Sequence, residues 1–207
     1  MAHVTPVYKR SGPKTDKSNF RPISVLPTLS KICESVIQAR LLSHCMENNL
    51  ISEKQAAYLK GDSTVSQLLY IVHNIRKAWT EKKISHGLFL DVSSAFDKVW
   101  HNGLLAKLEQ FGVEGNFLEI LQSYLSDRKQ VVIMEGEQSE VLDVKAGVPQ
   151  GSRLGPLLFI IYMNDITNEI ESDILIFADD TSLFATGTDP SETAAQINRD
   201  LHKISDW

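Results

Sequence analysis

The sequence predicts an α+β protein in which helices pack on one face of a small antiparallel sheet. Short apolar runs typical of buried strands alternate with longer stretches of helical spacing. Two of the strand-like runs end directly in acidic residues, at Asp91 and at Asp179. Basic loops and helices come first, followed by strand, helix, hairpin, helix, hairpin and helix. This order of elements favours the α+β class.

Length and composition are those of an ordinary globular protein. The chain has 207 residues, 43% hydrophobic and 23% charged, which suits one large domain or two small lobes. Its longest apolar run, from Leu154 to Met163, is interrupted by Gly155 and Pro156 and is too short to span a bilayer. We therefore expect no membrane partner.

The charge is unevenly distributed. The net charge is −5, yet residues 1–60 hold nine Lys or Arg against four Asp or Glu, whereas residues 61–207 hold twelve against twenty-two. The basic end is led by the stretch YKRSGPKTDKSNFR. Two interpretations stay open for it, a solvated basic loop and a loop that grips phosphates.

The first half of the chain reads as an extended segment followed by two helices. Pro6, Pro13 and Pro22, with Pro27 directly after them, exclude a long helix from residues 4–26. The spacing of apolar residues then predicts a helix from Ser30 to about Asn48. A second apolar helix, capped by Ser63 or Thr64, should extend to Trp79.

The second half alternates short strands with helices. We expect a buried strand at 87–90, a helix through Phe96 and Leu108 that stops at Gly112, and a short helix at 114–125. The remaining predictions are two strands around Gly136, a Gly/Pro-rich loop feeding an apolar helix within 147–166, a hairpin at 174–184 and a final helix from Pro190.

The hairpin ILIFADDTSLF holds two adjacent acidic residues, Asp179 and Asp180, between apolar runs. One interpretation is that Asp is simply a good turn residue. However, Asp91 also stands directly after a buried strand, and placing a charge there is costly unless a partner compensates. Carboxylates at neighbouring strand ends would raise a pKa or recruit a hard divalent cation. Spacing alone leaves these alternatives open.

Four motifs in register carry a resemblance to a known family. They are SNFRPISVLPTLSKICESVI, GLFLDVSSAFDKVWHNGLL, GVPQGSRLGPLLFIIYMNDI and FADDTSLF. In this order they resemble the reverse transcriptases of non-LTR retrotransposons, and the similarity covers essentially the whole chain.

The resemblance implies a right-hand polymerase fold within one reverse transcriptase domain. Residues 1–86 would be mainly fingers, with a basic N-terminal hairpin plus helices, and residues 87–207 mainly palm. The chain is expected to end before the thumb, which would be absent, as would the endonuclease domain that often precedes the fingers in relatives.

The resemblance also implies a two-metal site. By motif position Asp91 and Asp179 would bind two Mg²⁺ ions, with Mn²⁺ as the alternative metal, and the Val92 carbonyl would be a backbone ligand. Asp180 would complete the acidic cluster. In such enzymes one metal activates the primer 3′-hydroxyl and the other holds the triphosphate.

Nucleotide-binding residues follow from the same motifs. Phe96 falls where the family places a bulky ring that selects deoxynucleotides, although its helical spacing also suits a core residue. Lys9 and Arg21 occupy the places where related fingers contact the triphosphate. Gln150 and Gly151 would lie along the nascent base pair.

Template contacts are expected from Pro149 and from the segment EKQAAYLKGDST, which holds Gln55 and Lys60. This segment departs from the family pattern Q-x-G-F-R, because it has Ala57 for the glycine and Leu59 for the arginine. The departure puts full template affinity in doubt.

The resulting hypothesis is an RNA-directed DNA polymerase core that transfers dNTPs to a DNA primer on an RNA template. It would act with the thumb and endonuclease domains of a longer polypeptide, intracellularly, as a ribonucleoprotein of cytoplasm and nucleus by family analogy. The first alternative is a catalytically inactive retroelement fragment with residual nucleic-acid binding. A small-molecule nucleotidyl enzyme on a similar palm is the second.

Overall fold

The computed structural model describes residues 1–59, 61 and 63–207, so Lys60, an expected template contact, lies outside the described residues. Two compact units are present, and each is assembled from two separate stretches of chain. The first contains Met1–Leu50 and Ser94–Tyr162, and the second contains Ile51–Ser93 and Met163–Trp207. The predicted division at residue 86 follows a different boundary, and the fingers and palm assignments stay predictions.

The described chain contains α-helices and β-strands in mixed order. The helices are α1 (Thr28–Glu47), α2 (Thr64–Thr80), α3 (Ala95–Lys98), α4 (His101–Gln110), α5 (Gly115–Leu125), α6 (Gly155–Met163) and α7 (Pro190–Asp206). The strands are β1 (Ala2–Tyr8), β2 (Phe20–Val25), β3 (Ile84–Asp91), β4 (Lys129–Met134), β5 (Glu137–Gln138), β6 (Leu142–Asp143), β7 (Asp173–Phe177) and β8 (Asp180–Gly187). Over the described residues, no helix has the length and hydropathy needed to cross a bilayer.

The first unit contains a sheet in the order β2-β1-β4-β5, with β6 also paired to β4. Strands β1 and β2 form the expected N-terminal hairpin and pair antiparallel, whereas β1 and β4 pair parallel. Helices α1 and α3–α6 supply most of this unit's buried side chains, among which Leu41, Leu104, Leu121 and Phe159 are at most 1% exposed. These buried residues of α4, α5 and α6 belong to the apolar spacing that predicted the helices, whereas in α1 the apolar Ile32 and Val36 are 56% and 68% exposed.

The single helix predicted through Phe96 and Leu108 is wrong, because the chain forms two helices there. Helix α3 ends at Lys98, and Val99 and Trp100 adopt extended ψ angles of 116° before α4 begins. The carbonyls of Phe96 and Val99 accept hydrogen bonds from the amides of Val148 and Gly147, both at 2.8 Å. A distant loop therefore takes the acceptors that a continuous helix would use.

The second unit contains the three-stranded sheet β3-β8-β7, in which both pairings are antiparallel. Helix α7 packs against β8 and β3, and α2 packs against β3. Gly87 faces Phe184 across the sheet, and a Cβ at Gly87 would lie only 3.0 Å from the Phe184 ring. The glycine therefore leaves room for an aromatic ring on the neighbouring strand.

Helix α2 begins where the sequence predicted, with the Ser63 side chain accepting a hydrogen bond from the Ser66 amide at 3.2 Å. Much of its apolar surface nevertheless faces solvent. Six large apolar side chains are 46% to 81% exposed, namely Val65, Leu68, Leu69, Val72, Ile75 and Trp79. The helical periodicity located this helix correctly, but these residues do not belong to the unit's core.

A buried carboxylate ties α7 to the chain that enters β7. Asp200 is 0% exposed, and it accepts hydrogen bonds from the amides of Glu171, at 3.1 Å, and Ser172, at 2.8 Å. Burial acts to raise the pKa of Asp200, but hydrogen bonds from Ser172 and Glu171 and the nearby Lys203 ammonium outweigh it, so the pKa lies below its ordinary value. The ionised carboxylate is therefore a structural link in this unit.

Replacing Asp200 should lower stability in a pH-dependent way. Asp200→Asn should reduce the free energy of unfolding at pH 7 by about 1–3 kcal/mol, because one buried amide loses its charged acceptor. A depressed acid pKa stabilises the fold above the unfolded-state value of about 3.9 and loses that contribution as the pH falls through the folded-state value. Urea unfolding should thus show a smaller loss of stability below about pH 4 in the variant than in the wild type.

The matched control is Asp206→Asn, an exposed position on the same helix. It should change the free energy of unfolding by less than about 0.5 kcal/mol. An unchanged acid profile in Asp200→Asn would show that this carboxylate does not link stability to pH.

Candidate active site

Three carboxylates lie at one end of the sheet in the second unit. Asp91 is the last residue of β3, and it pairs in register with Asp180, the first residue of β8. Phe177 pairs with Asp180, so the turn between β7 and β8 consists of Ala178 and Asp179 alone. Antiparallel partners directly opposite each other carry their side chains on the same face. The register therefore brings together acidic residues from the two distant motifs.

The cluster is electrostatically unfavourable on its own. The pKa of Asp180 lies above its ordinary value, because of burial first and then the negative charges of Asp179 and Asp91. No Lys, Arg or His within the described residues forms an ion pair with any of the three. A cation from outside the chain would relieve this repulsion.

The donor set suits a hard divalent cation, since carboxylate oxygens are the ligands that Mg²⁺ prefers in proteins. Within the described part of the chain, no three His, Cys, Asp or Glu side chains are already gathered closely enough to hold a metal. The residues thus fit a metal in chemistry and in strand register, while their side chains are not arranged around one point. The roles of Asp91, Val92 and Asp179 as metal ligands stay predictions.

The turn that carries Asp179 is hydrogen-bonded to the side chain of Gln55. Ala178 has φ of +58°, a value that non-glycine residues adopt only where the surroundings impose it. Its amide donates to Gln55 Oε1 at 3.2 Å, and the Ala57 amide donates to the same oxygen at 2.9 Å. One buried side-chain oxygen therefore links the turn at Ala178 to the segment at 55–57.

Backbone contacts reinforce this link. Residues 54–56 run beside β7, where the Ile176 amide donates to the Lys54 carbonyl at 2.9 Å and the Ala56 amide donates to the Ile176 carbonyl at 3.0 Å. The Gln67 side chain of α2 donates to the same Ile176 carbonyl at 2.8 Å. The strand before the turn is thus fixed on the side away from β8.

Gln55 therefore has a different contact from the one expected for it. Its residue is 2% exposed, and its oxygen is used inside the protein rather than presented to a template. The template contact predicted for this side chain stays untested. The neighbouring Tyr58 is about half exposed, and burial followed by the charge of Asp179 raises the pKa of its phenol. The 55–58 segment is thus part of the surroundings of the acidic cluster.

In the first unit, Lys9 and Arg21 lie on one side of the β1–β2 hairpin. Arg21 pairs directly with Val7, and Lys9 follows Val7 by two residues in the same alternation. Both are exposed, and neither forms an ion pair with a carboxylate in the described ranges. The pair is available to an anionic ligand, and its predicted triphosphate role stays untested.

Phe96 is half-buried and stacks on Phe159. The ring centroids are 4.4 Å apart and the ring planes are inclined by 16°, and Phe159 is only 1% exposed. Both interpretations from the sequence survive, because one side of the Phe96 ring contacts the core while the residue keeps partial exposure. The contact holds the ring in a fixed orientation, which a sugar-selecting role would require.

The loop Pro149-Gln150-Gly151 is held against protein on both sides. Gly147 precedes it with φ of +90°, and a Cβ there would lie 2.7 Å from the Asp97 carbonyl oxygen. Gly151 has φ of +104°, and its Cβ would lie 2.8 Å from the Ser24 carbonyl oxygen. The Ser24 amide donates to the Gln150 carbonyl at 2.7 Å. These glycines thus permit close approach of protein backbone, and nucleic-acid contacts from Pro149, Gln150 and Gly151 stay predictions.

Comparison with known proteins identifies clear relatives. A family model described as reverse transcriptase (RNA-dependent DNA polymerase) matches residues 12–207. The chain is 34% identical over 209 residues to the probable RNA-directed DNA polymerase from transposon X-element of Drosophila melanogaster, covering 99% of this chain and 23% of that protein. It is 32% identical to the RNA-directed DNA polymerase from mobile element jockey of the same species, again covering 23% of the relative. The chain thus spans about a quarter of these relatives.

Solved structures share the fold at low sequence identity. A telomerase from Candida albicans, in complex with a fragment of telomeric RNA, superposes with a TM-score of 0.66 at 15% identity, over 100% of this chain and 40% of that one. An apo telomerase from Candida tropicalis gives a TM-score of 0.59 at 15% identity, over 89% of this chain and 44% of that one. The right-hand polymerase fold expected from the motifs is therefore confirmed.

Removing the Gln55 oxygen should loosen the turn at Ala178. Gln55→Met keeps the length of the side chain but leaves two buried amides without an acceptor, at a cost of about 1–3 kcal/mol each. We expect a lower free energy of unfolding in urea and faster hydrogen exchange at the Ala178 amide. Gln138→Met, at an exposed position on β5, is the control and should leave both unchanged. Undiminished protection of Ala178 in Gln55→Met would contradict this role.

Proposed function

The chain belongs to the reverse transcriptase (RNA-dependent DNA polymerase) family, together with the polymerases of non-LTR retrotransposons, and we propose that it is the catalytic core of an RNA-directed DNA polymerase. Its reaction would extend a DNA primer by transfer of nucleotides from dNTPs on an RNA template. The relatives are about four times longer, so the complete activity would belong to a polypeptide that also supplies thumb and endonuclease domains.

The observation that carries the proposal is the register pairing of Asp91 with Asp180 beside Asp179. Asp91, Asp179 and the Val92 carbonyl would hold two divalent cations, for which Mg²⁺ is the natural choice. When bound, such a pair supplies stabilisation of the attacking and leaving oxygens in an in-line phosphoryl transfer. The chain contributes the rigid support, since Gln55 and β8 fix the turn from two sides.

The residues of the first unit would bind the nucleotide and template. Arg21 can donate two parallel hydrogen bonds to phosphate oxygens, and Lys9 adds a second positive charge on the same side of the hairpin. Phe96, held by Phe159, would exclude a ribose 2′-hydroxyl by contact. Pro149, Gln150 and Gly151 would lie along the nascent base pair. The RNA-bound state of the Candida albicans telomerase supports an RNA template here by analogy.

A grafting experiment separates an active core from an inactive remnant. This segment should replace the matching part of the jockey polymerase and support Mg²⁺-dependent primer extension on RNA. Asp179→Asn should reduce the extension rate by at least about 100-fold, because it removes a charged ligand at the transferring phosphate. Template affinity should stay within about twofold, because the substituted carboxylate is not expected to contact the template.

The control is Asp173→Asn, an exposed position at the start of the same hairpin, which should extend at the wild-type rate. No extension by the wild-type graft would favour the remnant. An undiminished rate in Asp179→Asn would remove this carboxylate from the mechanism.

Sugar selection gives an independent test. Phe96→Ala should lower the preference for dNTPs over rNTPs by about tenfold or more, because a steric barrier to the 2′-hydroxyl is lost. The ratio of kcat/KM values for the two nucleotides should be measured in the graft, because a ratio does not depend on the folded fraction of each variant. Phe117→Ala, on α5, should keep the wild-type ratio. Unchanged selectivity in Phe96→Ala would leave this ring as a core residue.

A further inference from the structure

Asp97 and Gln150 form a hydrogen-bonded pair in the first unit. Gln150 Nε2 lies 3.1 Å from both Asp97 carboxylate oxygens and donates to them. Asp97 belongs to α3, directly after Phe96, and Gln150 belongs to the loop after Gly147. The pair therefore joins two motifs, and its members are 53 residues apart in the chain.

The two residues are also held through their backbones. The amides of Gly147 and Val148 donate to carbonyls of Val99 and Phe96, and the Ser24 amide donates to the Gln150 carbonyl. His101 Nε2 lies 2.8 Å from the Gly147 carbonyl oxygen. These bonds fix the main chain of both partners, and the hydrogen bond to Asp97 holds the Gln150 side-chain amide.

That orientation is decided by the chemistry of the partner. An ionised carboxylate accepts hydrogen bonds and cannot donate one, so the Gln150 nitrogen must face Asp97 and the oxygen must face away. No described residue donates to Gln150 Oε1. Both residues line a cavity of about 360 Å³ that Pro22, Ser24, Arg128 and Pro149 also border. Gln150 Oε1 is thus a side-chain acceptor that no described residue uses.

We propose that Asp97 is a positioning residue, which fixes the Gln150 amide so that Oε1 accepts a hydrogen bond from an O–H or N–H donor of the incoming nucleotide. This inference rests on the proposed function and deepens it, because it states which atom of the Gln150 side-chain amide faces the nucleotide. Burial raises the pKa of Asp97 and the hydrogen bond from Gln150 opposes that shift. The hydrogen bond from Gln150 thus favours the ionised form of the Asp97 carboxylate.

Asp97→Asn is the informative variant, because the asparagine side chain has the same shape as the aspartate. Its amide can either accept a hydrogen bond from Gln150 or donate one, so it no longer selects one orientation of the Gln150 amide. In the unliganded 207-residue chain, the two side-chain amide protons of Gln150 should give a sharp, exchange-protected NMR pair. In Asp97→Asn that pair should broaden and lose its protection. An unaltered Gln150 signal in the variant would overturn the proposal, whatever the enzymatic activity.

The kinetic test is a double-mutant cycle of Asp97→Asn and Gln150→Ala, followed by primer extension with this chain and with the graft. Asp97→Asn should raise the KM for dNTP about tenfold, the effect of one lost hydrogen bond, and leave kcat within about twofold. In the Gln150→Ala background the same substitution should have no further effect, because Asp97 acts only through Gln150.

The outcomes are distinguishable. Additive effects of the two substitutions would mean that Asp97 only supports the loop, and would overturn the proposal. Absence of extension by both the wild-type chain and the graft would count against the proposed function, and the NMR signal of Gln150 would still decide whether Asp97 orients it. Glu114→Gln, at an exposed residue outside the cavity, is the control and should leave the NMR pair and the KM unchanged.

Discussion

The antiparallel register of β3 and β8 is the constraint on which the candidate site depends. It sets Asp91 opposite Asp180, and the two-residue turn then places Asp179 beside them. Side chains alternate along a strand, so a slip of one residue would move Asp91 to the other face of the sheet. The pairing of Leu88 with Leu183 opposes that slip, because the fully buried Leu183 would lose this apolar partner. The hydrophobic pattern of two short strands therefore also determines where the charges meet.

Most helices and strands could be predicted from the sequence, because they depend on interactions between residues that are close together in the chain. The helices beginning near Ser30, Ser63 and Pro190, and the hairpin around Ala178, follow from apolar spacing, capping residues and turn chemistry. The break between α3 and α4 could not be found in this way. It exists because amides fifty residues later bind the carbonyls of Phe96 and Val99. Hydrogen bonds between distant backbone segments leave no periodic trace in a sequence.

The same distinction between local and distant interactions applies to the candidate site. The types and positions of Asp91, Asp179, Arg21 and Gln150 were accessible from motifs, since each motif is a continuous stretch of chain. The contacts that hold these residues in place could not be predicted from motifs. Gln55, for example, accepts a hydrogen bond from a turn more than a hundred residues away. Its place in a segment resembling a template-gripping motif pointed to the template rather than to the turn. A glutamine that is buried inside the protein and one that binds a ligand are identical in the sequence. Only the burial of the side chain in the structure distinguishes them.

The unneutralised carboxylates carry a consequence for how this chain changes over generations. A gene copy released from selection for chemistry would lose no favourable charge interaction in folding by exchanging Asp180 for a neutral residue, since burial and the charges of Asp179 and Asp91 already raise the pKa of that carboxyl. Drift should therefore erase such an acidic group at least as readily as any surface residue. Folding alone therefore gives no reason to keep three aspartates together at this end of the sheet.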